Sequence, residues 1–253
     1  MLTKRIERLV DILQAKLDGI TEEEEIGSTS STGIKGVNRS FRLTNKDNEK
    51  FLFKPQSGDH TSKWRHVPPK AQYKRERAAY LTSVALGWNM VPHTKIMTHN
   101  EEIGSLQDWV EEADIADKTL KTYSISYLWK AGLFDIIIGN SDRHSKNWLT
   151  VGDKPILIDH GYSFPIKASI SDPRSVILSR FSFRIWGDKI PNIFLQDIKK
   201  LKESKFQEHI KSLVDNDAFI LFNERVDELL GGKIAQVSKY NCVKKVSGTP
   251  SEK

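Results

Sequence analysis

Cysteine is almost missing from this chain. Cys242 is the only one, so no disulfide can close within the molecule, and stability has to come from packing. No run of eighteen apolar residues occurs, which excludes a membrane-spanning helix of ordinary length. The start, Met1 to Arg8, lacks the apolar core of a secretory leader, so the expected setting is cytoplasmic. No internal repeat is visible, and no Cys/His spacing of the structural zinc kind occurs. The six tryptophans stand singly, as packing residues do, so no specific nucleic-acid binding is expected.

What is present is an ordinary globular mix. Apolar residues make up 38% of the 253, enough for a sizeable core. The net charge of +6 is compatible with nucleotides, acidic proteins or anionic lipid, and by itself selects none of them.

Periodicity divides the chain into two unlike halves. Ile6, Leu9, Val10, Leu13 and Leu17 recur at helical spacing, predicting a helix over Leu2 to Leu17. Glu22 to Glu25 reads as a solvated run near the start of a strand. Gly27 to Gly36, rich in Ser, Thr and Gly, has loop composition. Phe41–Leu43 and Phe51–Phe53 flank the turn residues Asn45 to Asn48 and predict a hairpin. Pro55 to Pro69 is a long polar connection. A helix is predicted over Ala71 to Leu86, closed by Gly87, followed by strands at Thr94–Thr98 and Ile103–Val110. After a composition shift near Glu111 to Leu120, the second half turns helical: Ile125–Ile138, Phe194–Leu201 and Ala218–Leu230. A short hairpin, Trp148–Val151 with Ile156–Ile158, interrupts it around Gly152 to Pro155. The expected organisation is an N-terminal helix (1–20), a strand-rich part (21–112), a helical part (113–240) and a polar tail (241–253).

The chemistry concentrates in Gly139 to Asn147 and at Asp159. Asp142 and Asn147 lie in a polar loop between the apolar helix and the hairpin, and Asp159 follows that hairpin. Because a hairpin brings its outer ends together, Asp159 is expected beside Asn147 and Asp142. A polar turn alone needs no more than Asp and Asn capping backbone. One carboxylate to take a hydroxyl proton, with an amide oxygen and a second carboxylate for a hard cation, is the set that phosphoryl transfer from a nucleotide requires. Asp142 is then the candidate base, and Asn147 and Asp159 the candidate metal ligands. Lys54, ending the strand Phe51–Phe53, points a cation toward the same cleft, with Glu76 on the next helix as its candidate partner.

Asp142-Arg143-His144, Asn147 and Ile158-Asp159-His160-Gly161 resemble the catalytic and metal-binding loops of the phosphatidylinositol 3- and 4-kinase-like superfamily. HipA-type bacterial serine/threonine kinases share this arrangement. Arg75-Glu76-Arg77-Ala78-Ala79-Tyr80-Leu81 is similar to a helix of bacterial members. The resemblance spans roughly 20 to 165 and implies an α+β, two-lobed protein-kinase-like fold, with a strand-rich N-lobe holding one main helix and a mostly helical C-lobe. It implies ATP and Mg2+ as cofactors. It also places Gly33 and Gly36 in a phosphate-covering loop that departs from G-x-G-x-x-G, and Val110 and Glu111 where adenine is read. His144 is expected to brace the catalytic loop or act electrostatically at the phosphates. Ser28, Ser30 and Ser31 are candidate autophosphorylation sites. The expected acceptor is a protein Ser or Thr. A phosphoinositide headgroup or anionic lipid comes second, because Gly161 to Lys167 offers one cation only. A nucleotidyl transferase and a partner-binding pseudokinase are further alternatives, the latter opposed by the complete set Lys54, Glu76, Asp142, Asn147 and Asp159.

Overall fold

Alternation of apolar and polar residues over the first hundred positions produces a five-stranded antiparallel sheet. In this computed structural model, residues 19–26, 38–59, 66–166, 179–185 and 188–232 are described. The helix expected over Leu2 to Leu17, the loop Gly27 to Gly36 and the polar tail fall outside them.

The strands are β1 (Ile20–Glu25), β2 (Phe41–Asn45), β3 (Lys50–Pro55), β4 (Thr94–His99) and β5 (Glu102–Asp108), in the order β1-β2-β3-β5-β4. Side chains alternate between the two faces. One face packs Phe41, Leu43, Phe53 and Leu106 into a small core. The register pairs Leu52 with Gln107 and Lys54 with Ser105, so these four share the opposite face. Asn45 shapes the β2–β3 turn: its Oδ1 accepts the N–H groups of Asp47 and Glu49 at 3.0 and 2.8 Å. The β4–β5 loop is Asn100-Glu101, both left-handed, as a tight hairpin demands.

β5 ends at Asp108, two residues short of the expected Val110, because the chain leaves the sheet there. Trp109 N–H still reaches Lys50 O at 3.1 Å. Helix α1 (Gln72–Ala85) follows the long connection and stops before Gly87, which is left-handed. Its apolar residues Ala78, Ala79 and Leu81 join the large second core.

That core is built on α2 (Ile125–Ile138), capped by Ser124 Oγ at its start and by left-handed Gly139 at its end. The same core takes in Phe181 of α3 (Arg180–Arg184), Ile198 and Leu201 of α4 (Asn192–Glu203), Ile210 of α5 (Phe206–Leu213), and Phe222 and Val226 of α6 (Asn216–Leu230). Beside it lies a three-stranded sheet, β6 (Asp114–Ile115), β7 (Trp148–Val151) and β8 (Lys154–Leu157), in chain order. The second strand of the expected hairpin therefore starts two residues earlier than Ile156 and ends at Leu157. Pro155 is accommodated because β8 lies at an edge of this sheet, where its missing N–H costs little.

Candidate active site

The face of the sheet opposite the small core carries Lys54 into contact with two carboxylates. Its Nζ lies 2.7 Å from Glu76 Oε1 and 3.0 Å from Asp159 Oδ1. The other oxygen of Glu76 accepts the backbone N–H of His160 at 3.0 Å, with His160 Nδ1 at 3.3 Å. Glu76 thus joins the strand lysine to the loop after β8. Burial alone would lower the Lys54 ammonium, but the charges of Asp159 and Glu76 outweigh it and hold the group above its ordinary range. Burial would likewise raise the Glu76 carboxyl, yet the Lys54 charge and the bonds from His160 hold it well below. Burial also pushes the His160 imidazole down, so it sits neutral beside Glu76.

Asp159 occupies the left-handed region with φ 58°, a costly conformation for a residue with a Cβ. Its side chain stays 45% exposed beyond the contact with Lys54.

The loop after α2 is held by its own backbone and by one buried cation. Asn140 N–H returns to Asp135 O at 2.9 Å, and Asn140 Oδ1 accepts Asp142 N–H at 2.9 Å. Asn147 N–H bonds His144 O at 2.9 Å, and Asn147 Nδ2 donates to Asp142 O at 2.7 Å. With its NH2 so engaged, the amide of Asn147, itself buried, is held in one orientation. Ile158 N–H bonds Asn147 O at 3.1 Å, so Asp159 follows directly on a residue tied to Asn147. The hairpin does bring these ends together.

Arg143 is the residue that sequence reasoning missed. Its guanidinium is wholly buried, 3.0 to 3.2 Å from the Asp135 carboxylate, and donates through Nη1 to Asn147 O and Ile158 O. One side chain therefore ties α2, the loop and the segment leading to Asp159. The signal was available: Asp135 is a carboxylate inside the apolar run Leu133 to Ile138, which calls for a buried partner. His144 is 54% exposed, accepts Lys146 N–H at 3.2 Å and lies 3.9 Å from Asp142 Oδ2.

A cavity of about 440 Å³ lies between the two sheets. Leu52, Leu149 and Ile158 give it apolar walls, and Gln107, Val110 and Glu111 line it where the chain leaves β5. Leu52, Leu149 and Ile158 were not picked out from the sequence as cavity residues, since nothing there separates a cavity-lining apolar residue from a core one. Glu111 also meets Lys50 Nζ at 3.2 Å. Gly33, Gly36, Ser28, Ser30 and Ser31 lie outside the described residues.

The family of phosphatidylinositol 3- and 4-kinases matches residues 31–175, more than half of the chain. A Mycobacterium tuberculosis protein, Rv2133c, is 29% identical over 147 residues, covering 44% of this chain. The chain spans about half the length of that relative, 52%. Among solved structures, the Golgi casein kinase with Mn and ADP bound has a TM-score of 0.57 at 13% identity, over 94% of this chain and 77% of the other. Hydra Fam20 with sugar has a TM-score of 0.55, also at 13% identity, over 87% of this chain and 86% of the other. These two likenesses establish the kinase-like fold expected from the sequence.

Proposed function

The chain belongs to the phosphatidylinositol 3- and 4-kinase family, and on that footing we propose that it transfers the γ-phosphoryl group of ATP to a hydroxyl, most readily that of a protein Ser or Thr. The observation that supports this reading is the bridge Lys54–Glu76–His160, which holds the Lys54 cation against Asp159, next in the chain to a residue bonded to Asn147.

Each residue then has a task. Lys54 holds the nucleotide phosphates, with its charge fixed by Glu76 and Asp159. Asp142 accepts the proton of the acceptor hydroxyl as its oxygen bonds to the γ-phosphorus and the bond to the bridging oxygen of ADP breaks. The side-chain oxygen of Asn147 and the exposed part of Asp159 are hard donors suited to Mg2+, which takes few protein ligands. Such an ion, when bound, would neutralise phosphate charge. The adenine would lie between Leu52 and the pair Leu149 and Ile158, read by the backbone at Val110 and Glu111. The likeness to a casein kinase whose structure contains Mn and ADP supports the nucleotide and metal parts. Gly161 to Lys167 supplies one cation, which favours a protein over a phosphoinositide headgroup. Ser28, Ser30 and Ser31 are proposed as self-acceptors, to be sought by mass spectrometry after incubation with ATP; an unmodified loop in active protein refutes that part.

The test is mass-resolved transfer from ATP to cell lysate and to phosphoinositide vesicles side by side, with Asp142→Ala as control. Added phosphate in protein supports the reading, phosphorylated lipid replaces the acceptor, and added AMP replaces the chemistry with nucleotidyl transfer. No transfer at all favours a pseudokinase.

A further inference from the structure

One buried side-chain amide interrupts the apolar walls of the nucleotide cavity. Gln107 is 5% exposed and lines the cavity. It stands across from Leu52, on the face that carries Lys54. Its Nε2 donates to Thr94 Oγ1 at 2.9 Å, and Thr94 Oγ1 gives its own proton to Pro92 O at 2.9 Å.

This relay fixes which way the amide faces. A hydroxyl carries one proton, and that of Thr94 is committed to a carbonyl, which can only accept. Thr94 Oγ1 can therefore only accept from Gln107. Turning the amide over would set two acceptors against each other in a site from which water is excluded, since Thr94 is wholly buried. Gln107 Oε1 has no protein partner among the described residues and is not sealed from solvent, so in a residue this enclosed it opens to the cavity.

We propose that Gln107 is a specificity-determining residue for the nucleobase, presenting a fixed acceptor that favours a purine with a 6-amino group and disfavours one with a 6-oxo group. This rests on the cavity being the base site of the proposed kinase. A 6-amino group has a proton to give Oε1; the 6-oxo group of inosine or guanine places a second acceptor against it. Thr94 takes part from outside the cavity lining, as the group that stops the amide from adapting.

The experiment is calorimetric titration of the whole chain with the Mg2+ complexes of ATP and ITP, which differ in the 6-position and the accompanying N1 proton. ATP is expected to bind about tenfold or more tightly than ITP, the cost of one unsatisfied buried acceptor. In Gln107→Leu the preference shrinks to about threefold or less, mainly through weaker ATP binding. In Thr94→Val the amide is free to turn its NH2 into the cavity, so ITP binding strengthens although no cavity residue has changed. A residue that merely joins β4 to β5 would not produce that gain. Thermal unfolding of both variants establishes that they are folded. With ATP bound, a wild-type preference that is absent, or unchanged in either variant, overturns the proposal and leaves the kinase reading standing. Failure of ATP and ITP alike to bind wild type overturns both.

Discussion

Arg143 and Asp135 form an ion pair with neither side chain exposed, Nη2 lying 3.0 Å from Oδ1. Two residues of no direct chemistry thus fix the height at which Asn147 stands against Asp159. Removing one partner strands the other charge in a dry interior. Asp135→Ala is expected to cost about 3–5 kcal/mol of stability, read by urea unfolding. A loss below about 1 kcal/mol would mean that the guanidinium finds water or another acceptor.

Asp142→Ala should reduce phosphate transfer by on the order of a thousandfold or more while leaving nucleotide binding near wild type. Asp159→Ala should weaken binding of the metal–nucleotide complex as well. Transfer assays paired with calorimetry separate the two, and undiminished turnover in both variants would remove these residues from the site.

The depressed Glu76 carboxyl makes an acid-side prediction. Its charge stabilises the folded state fully above its ordinary value of 4.5, and that contribution is lost as the pH falls below it toward the lower folded value. The gap in Tm between wild type and Glu76→Gln should therefore be widest near neutral pH and close as the solution is acidified. A gap independent of pH would show that the carboxylate charge contributes nothing.

Gly104 is a packing requirement. A Cβ there would come 2.3 Å from Lys54 O and 2.8 Å from the Phe53 ring. The carbonyl belongs to the strand that carries Lys54, so Gly104→Ala has to push β3 aside. A loss of about 1–3 kcal/mol is expected from such overpacking, with nucleotide affinity falling alongside. Wild-type affinity together with wild-type stability would contradict the register of β3 and β5.

Much of this site could be read from residue order because its signals are local. Lys54 closes an apolar strand, Asp142 and Asn147 interrupt an apolar run, and Asp159 follows a hairpin. Helices α3 and α5 were not anticipated. α5 has eight residues and buries Ile210 alone, so its pattern is too short to stand out before the large core exists. Arg143 lay inside the quoted motif, yet its role depends on Asp135 eight residues earlier, inside the apolar helix, and on two carbonyls at the ends of the hairpin. Gln107 read as one more strand residue, because its meaning depends on Thr94 on the adjoining strand.

Helix α1 is anchored at both of its faces. Glu76 holds Lys54 and the His160 backbone, while Arg75, fully buried, donates to Ser163 O at 3.0 Å and Phe164 O at 3.2 Å and meets Asp215 at 2.9 Å. Ala78, Ala79 and Leu81 are embedded in the main core. Swinging this helix outward would therefore tear open the interior and strip a guanidinium of three acceptors, in addition to releasing Lys54. A helix assembled this way moves only together with the core behind it, so any rearrangement of α1 carries the cost of reopening the interior.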